Sequence, residues 1–141
     1  VSQRLPALLL DAIAGAKVSK ASRLNGRRST AIDRAVAHVD THLKQRITVA
    51  GLADAAGVSQ RTLEYGFGER FGMTPKAYMI ARRLDAVRGK LLSSFASQAK
   101  VTRIANDYGF WHMGQFASDY HRQFGELPSK TLQRSPATYR N

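Results

Sequence analysis

No cysteine occurs among the 141 residues, which excludes disulfides and thiolate-bound zinc fingers and fits a reducing compartment. No apolar run approaches the roughly 18 residues that span a bilayer. The short apolar stretch from Leu5 to Ala16 runs on into a basic segment and lacks the cleavage context of a signal peptide. Acid is scarce: 10 Asp and Glu stand against 22 Lys and Arg, for a formal charge of +12 and an isoelectric point near 10.8. That balance calls for a polyanionic partner, nucleic acid first and an anionic membrane surface second. Catalytic constellations are also missing. His38 and His42 lie one helical turn apart, but Val39 stands where a zinc-hydrolase motif needs glutamate, and no third ligand is in view. No serine or threonine sits with a histidine and a carboxylate, no glycine-rich phosphate loop occurs, and Asp107 and Asp119 are too isolated for paired-carboxylate chemistry. Neither enzymatic activity nor a cofactor is expected.

One pattern occurs twice. Leu52-Ala53-Asp54-Ala55-Ala56-Gly57-Val58, a turn, then Leu63, Phe67, Phe71-Gly72 and Pro75 returns as Ile104-Ala105-Asn106-Asp107-Tyr108-Gly109-Phe110, a turn, then Phe116, Tyr120, Phe124-Gly125 and Pro128. The offset is 52 positions before the turn (52 to 104, 57 to 109) and 53 after it (63 to 116, 71 to 124), so the second copy holds one extra turn residue. Such a repeat is one supersecondary unit used twice. Helix, glycine turn and helix is the arrangement that presents a second helix to the major groove of DNA.

Periodicity places the elements. Val1 to Ala16 reads as an amphipathic helix without an obvious partner, and with Val rather than Met first the chain reads as a piece of a longer protein. Residues 17–28 carry Lys17, Lys20, Arg23, Arg27 and Arg28 and no acid, interleaved with Ser, Asn and Gly. That composition suits a solvated flexible tether, with a DNA-gripping arm as the second reading. Thr30 and Asp33 then open a support helix in which Ile32, Val36, Val39 and Leu43 recur up to about Lys44. Thr48 caps a short helix through Leu52, Ala53 and Ala56, which Gly57 ends. Ser59 caps the next helix, over about 60–71. Leu63, Phe67 and Phe71 form its buried stripe and leave Gln60, Arg61, Glu64, Tyr65 and Gly68 outward, with Thr62 beside them as a further base-facing candidate. Gly66 and Gly68 lie inside this helix at about 1 kcal/mol each relative to alanine.

Thr74 and Pro75 open a longer helix to about Leu92, roughly 27 Å of rigid spacer at 1.5 Å per residue. Successive major-groove faces lie about 34 Å apart. Residues 93–100 read as a loop, and Thr102 caps the second unit. Ile104, Ala105 and Tyr108 line the inside of its first helix; Phe116, Tyr120 and Phe124 line that of its second, over about 113–124. Trp111 is expected to pack against the first of these helices. Met113, Gly114, Gln115, Ala117, Ser118 and His121 face outward, and Pro128 opens a short helix near Lys130 to Arg134. The division is then 1–28, an upstream remnant and tether; 29–92, a first unit with its spacer helix at about 75–92; and 93–141, a second unit.

The outward side chains have defined chemistry. Arg61 can give two parallel donors to guanine O6 and N7, a contact worth about 1–3 kcal/mol of discrimination, or can grip phosphate. Glu64 can accept from cytosine N4–H or pair with a neighbouring arginine, Tyr65 can touch a methyl or a sugar, and the Gln115 amide suits adenine N6 and N7. Arg46, Lys76, Arg82, Arg83, Lys100, Arg103 and Arg122 are the phosphate candidates, assisted by the helix N-termini near Thr48 and Thr102.

Residues Ile47 to Arg134 resemble the DNA-binding domain of the AraC/XylS family of bacterial transcription regulators. The resemblance is carried by Gly57-Val58-Ser59-Gln60-Arg61-Thr62-Leu63 in the first unit. In the second it is carried by Gly109-Phe110-Trp111-His112, Phe116 and Phe124-Gly125-Glu126-Leu127-Pro128. It implies an all-α fold of seven helices, with two homeodomain-like helix-turn-helix units joined by a long linker helix. It implies base contacts at Arg61, Glu64 and Tyr65 and at Met113, Gln115, Ala117, Ser118 and His121. It further implies a cytoplasmic, sequence-specific activator of promoters that works with RNA polymerase behind an upstream effector-binding or dimerisation domain. The alternative is a basic module for anionic membrane or protein surfaces, which needs a basic amphipathic helix with exposed apolar residues.

Overall fold

The computed structural model describes residues 4–136, with side chains from residue 20 onward. Regular structure among them is helical: α1 (Arg4–Thr41), α2 (Val49–Ala56), α3 (Gln60–Phe71), α4 (Pro75–Leu92), α5 (Val101–Asp107), α6 (Met113–Phe124) and α7 (Pro128–Gln133). The apolar face expected for Val1 to Ala16 lies outside the described side chains.

Where the sequence suggests a helix, a flexible tether and a second helix, α1 is continuous. Residues 17–28 are helical, and Thr30 is no cap: its hydroxyl donates to the Gly26 carbonyl one turn back at 2.9 Å. Asp33 instead accepts from Arg70 of α3 at 2.6 Å. Local propensity accounts for the difference. Lys, Arg, Ala and Leu are good helix formers, no proline interrupts the segment, and only Asn25 and Gly26 weigh strongly against it. A segment polar all round can be a solvated helix as readily as a coil. The helix ends at Thr41 rather than near Lys44.

Three expected caps form. Thr48 Oγ1 accepts from the Gly51 N–H at 3.0 Å, Ser59 Oγ from the Thr62 N–H at 3.1 Å, and Thr74 Oγ1 from the Ala77 N–H at 3.1 Å. Each satisfies an orphan donor and is worth about 1 kcal/mol. The second unit is built without such caps. Helix α5 begins after Lys100, so Thr102 lies inside it, and neither His112 nor Leu127 makes a side-chain cap to α6 or α7.

Gly57 and Gly109 turn the chain between the paired helices at φ +74° and +86°, a region that glycine enters freely and side-chain-bearing residues enter at a cost. Both turns close with the same bond, Val58 N–H to Ala53 carbonyl at 3.1 Å and Phe110 N–H to Ala105 carbonyl at 3.0 Å. In the first unit the cap Ser59 follows Val58 directly; in the second, Trp111 stands between Phe110 and His112. Trp111 is therefore the extra residue of the second copy.

The molecule has two cores and one helix that serves both. Ile32, Ala35 and Val39 of α1 bury against Leu52, Ala53 and Ala56 of α2, Leu63 and Phe67 of α3, and Met79 of α4. Leu84, Val87 and Leu91, farther along α4, bury against Ala105, Tyr108, Phe116, Tyr120 and Leu132. Full burial of each large apolar side chain contributes about 1.5–3 kcal/mol. Gly66 is buried where α3 crosses α1, so its missing side chain is what lets Ile32 pack there. Leu43 touches both cores, and the Lys44 ammonium lies 5.4 Å from the centre of the Tyr108 ring.

A polar knot fastens α7. The Tyr120 hydroxyl donates to Thr131 Oγ1 at 2.7 Å, and the Thr131 hydroxyl donates to Glu126 Oε1 at 2.8 Å. Arg134 pairs with the same carboxylate, and Arg88 approaches it at 3.5 Å. Hydrogen bonds from Arg134 and Thr131 hold the Glu126 carboxyl below its ordinary pKa. Burial pushes the Tyr120 phenol up.

Candidate nucleic-acid interface

Helices α3 and α6 close the two helix-turn-helix units and match the expected spans 60–71 and 113–124. On α3, Gln60, Arg61, Glu64 and Tyr65 are exposed. No hydrogen bond or ion pair to another described residue holds Arg61 or Glu64, so both are free to meet a ligand, and the neighbouring-arginine pair considered for Glu64 does not form. Tyr65 is 61 % exposed, with the Arg28 guanidinium 4.5 Å above its ring. Thr62 differs from the other candidates. It is half-buried and its Oγ1 accepts from the Ser59 hydroxyl at 3.0 Å, which commits it to the cap. Ser59 and Thr62 thus lock the first turn of α3 while Arg61, between them, projects.

The α6 face is less open. Met113 packs at the edge of the second core, and Ala117 is half-buried. Ser118 and His121 are exposed. Gln115 is exposed, but its Nε2 donates to Asp119 Oδ1 at 2.8 Å, one turn along the same helix. Arg122 approaches the same oxygen at 3.4 Å. Asp119 therefore holds the Gln115 amide and partly neutralises Arg122, and a bidentate adenine contact requires Gln115 to leave it.

Trp111 does not pack against α5 as expected: it is 72 % exposed. As the inserted residue it has no counterpart position in the first unit's core, and Phe110 takes the inward place against Phe116, with ring centres 5.0 Å apart. The indole stands two residues ahead of α6, next to its N-cap residue His112. The sequence signal was the change of repeat offset from 52 to 53, which marks a residue with no structural equivalent.

The cationic candidates divide. Arg46, Lys76, Lys100 and Arg103 are exposed, with no ion pair to another described residue. Arg82 is not a free cation. Its Nε donates to Asp40 at 3.0 Å, tying α4 to α1, and Nη1 lies 3.5 Å from Asp85 one turn along α4. The bond to Asp40 raises its already high pKa. Arg83 donates to the Gln45 carbonyl at 2.8 Å and pins the loop before α2; burial lowers its pKa. Both arginines brace α4 against the first unit, Arg82 through the Asp40 carboxylate and Arg83 through the Gln45 carbonyl.

His38 and His42 stack at 4.1 Å between ring centres, and His42 Nδ1 lies 2.7 Å from the His38 carbonyl oxygen. The pair finishes α1. Among the described residues no group of three or more His, Cys, Asp or Glu could hold a metal, and no helix is long and apolar enough to cross a membrane.

Comparison with known proteins places this geometry. A helix-turn-helix domain family matches residues 52–134. A XylDLEGF operon transcriptional activator of Pseudomonas putida is 43 % identical over 102 residues, covering 72 % of this chain and 31 % of that protein. A second such activator is 40 % identical over 120 residues, covering 85 % and 36 %. The chain thus spans about a third of the length of these relatives. The crystal structure of a probable AraC family transcriptional regulator from Rhodopseudomonas palustris is 34 % identical, covers 74 % of this chain and 96 % of its own, and superposes with a TM-score of 0.68. An AraC-type structure from Chromobacterium violaceum, 24 % identical over 75 % of this chain and 92 % of its own, has a TM-score of 0.70 and shares the fold.

Proposed function

The chain belongs to the AraC-type family of helix-turn-helix transcription regulators, and from that premise we propose that it reads promoter DNA with α3 and α6 seated in adjacent major grooves. The observation that carries the reading is the pair of glycine-turned units on one shared helix, with Arg61 and Glu64 left unpaired on α3 among the described residues. Arg61 is the principal base-reading residue, because its guanidinium is free and flanked by the locked Ser59–Thr62 turn. Gln60, Glu64 and Tyr65 extend that face. On α6, Gln115, Ser118 and His121 supply the polar contacts and Ala117 an apolar one for a thymine methyl, while Met113 acts mainly by positioning the helix. Arg46, Lys76, Lys100, Arg103 and Arg122 hold phosphate. The named relatives are operon activators, which supports activation through RNA polymerase in the cytoplasm, under an effector-binding or dimerisation domain outside this span.

Selection from a random duplex library tests the reading. The expected product is a motif of two blocks about one helical turn apart. Arg61→Ala should weaken the selected duplex about 10-fold or more relative to random DNA, whereas Lys76→Ala should weaken both alike. Recovery of no motif, or equal losses for both variants on both duplexes, would overturn direct readout. Stronger binding to anionic vesicles than to duplex would favour the membrane-surface alternative.

A further inference from the structure

The continuous α1 turns the supposed tether into a rod, and the rod carries charge on one side. Lys20, Arg23, Arg27 and Arg34 are exposed, and no hydrogen bond or ion pair to another described residue holds any of them. At 100° per residue they fall within about 60° of one another around the helix, a stripe roughly 21 Å long. No acidic residue occurs from Ala12 to Ile32, so the stretch from Lys20 to Arg27 has no carboxylate of its own, and Asp33, next to Arg34, is taken by Arg70.

The stripe has a definite place beside the first unit. Arg27 lines one groove with Val58, Arg61 and Thr62, so it borders the N-terminal end of α3, the end that a helix-turn-helix unit directs at base edges. Arg23, Arg27 and Arg34 line a second groove with the Gly57 turn. The rod is fastened rather than swinging at this level. Arg28 covers Tyr65 and lies 3.6 Å from Glu69, Ile32 is buried against Gly66, and Arg70 of α3 reaches Asp33 and the Ser29 carbonyl. From Ala31, the first described residue in the core, Lys20 lies about 16 Å farther along the axis.

We infer that this basic face of α1 is a third DNA-gripping surface, which binds the phosphates flanking the site read by α3 and so lengthens the footprint beyond the two helix-turn-helix units. The inference rests on the DNA-binding reading above. Lys20 to Arg27 spans about 10 Å of helix, which matches about three phosphates at 3.4 Å per nucleotide along one strand. Because the contacts are ionic and touch no base, they add affinity and salt dependence without sequence preference. A duplex is favoured over an anionic protein or lipid surface because the stripe is continuous with the α3 end that faces DNA.

The test compares the 141-residue chain with Lys20→Ala/Arg23→Ala/Arg27→Ala on a selected duplex, either trimmed to the two-block motif or extended by about one turn on either side. On the duplex extended beyond the α3 block, the log–log salt slope of the triple variant should be shallower by about 2.7, or 0.9 per lost phosphate contact. Between about 50 and 200 mM salt that slope difference amounts to about 40-fold. On the trimmed duplex the two proteins should bind alike. Arg23→Lys/Arg27→Lys, which keeps the charge, should retain the wild-type slope. Equal slopes for wild type and triple variant on every duplex that both bind would overturn the third surface and leave α3 and α6 standing. Failure of the wild-type chain to prefer any duplex would remove the DNA reading as well. Loss by the triple variant on anionic vesicles, with duplex binding untouched, would assign the stripe to a membrane and overturn the inference.

Discussion

Replacing Gly66 by alanine probes the tightest contact between α1 and α3. A Cβ at that position would lie 2.5 Å from Cδ1 and 2.7 Å from Cγ1 of Ile32, closer than carbon atoms pack. Ile32 is 2 % exposed and is shut in with Ala31 and Ala35, and a β-branched side chain has little freedom at χ1. Forcing an extra methyl into such a core costs about 1–3 kcal/mol. Gly68, two residues along the same helix, is the internal control, with nothing within 4 Å of where its Cβ would stand. Both substitutions gain about 1 kcal/mol of helix propensity, so the difference between them isolates the clash. Gly68→Ala should raise Tm by about 3 °C, and Gly66→Ala should melt about 3–9 °C below Gly68→Ala, as followed by circular dichroism or calorimetry. Ile32→Val, which deletes Cδ1, should cost about 1 kcal/mol in the native background. In the Gly66→Ala background it should cost at least about 0.5 kcal/mol less, because it relieves the overlap. Equal gains from the two alanines, or strictly additive effects in the cycle, would refute the close-approach explanation.

Phe67→Ala empties a fully buried site and should cost about 3–5 kcal/mol. Phe124→Ala should cost about half as much, because that ring is half-buried and is covered on one side by the Arg88 guanidinium at 4.7 Å; urea melts distinguish the two. Since the Glu126 carboxyl is held below its ordinary pKa, its contribution to stability is complete above the ordinary carboxylate value, where the unfolded chain is also ionised. That contribution is lost as pH falls through the depressed folded value. Melting temperature followed downward from neutral pH should therefore decline through that window, and less steeply in Glu126→Gln; parallel pH profiles would deny the knot this role. Trp111 is the sole tryptophan, and its exposure predicts native emission close to that of tryptophan in water. Unfolding in urea should then shift it little, whereas a large red shift would mean a packed indole.

Some of the fold was open to sequence reasoning because local chemistry decides it. Ser59 and Thr74 announce α3 and α4 through caps whose hydrogen bonds need only four consecutive residues, and the spacing of Leu63, Phe67, Phe116 and Tyr120 fixes which faces turn inward. Positions decided by partners distant in sequence were not open in this way. Arg82 and Arg83 are indistinguishable from phosphate ligands until Asp40 and the Gln45 carbonyl, some forty residues away, come beside them. Gly66 and Gly68 look equally costly in the sequence, and only the α1 crossing gives one of them a reason. Thr102 has the chemistry of a cap but lies inside α5, which begins one residue before it. The basic stretch 17–28 is the converse case, since its charge suggests a solvated coil while the residues themselves favour helix.

Helix α4 gives Met79 to one core and Leu84 to the other, so the azimuth of each reading head is counted out in residues along a single axis. One amino acid inserted between those two positions would rotate the distal half by 100° and advance it by about 1.5 Å, carrying α6 around the duplex instead of along it. On the proposed reading, substitutions on α3 and α6 would retune which bases are met without touching that count. The number of residues between Met79 and Leu84 is a gauge setting, and on that same reading a change there would alter the spacing and phase of the DNA site that the molecule fits.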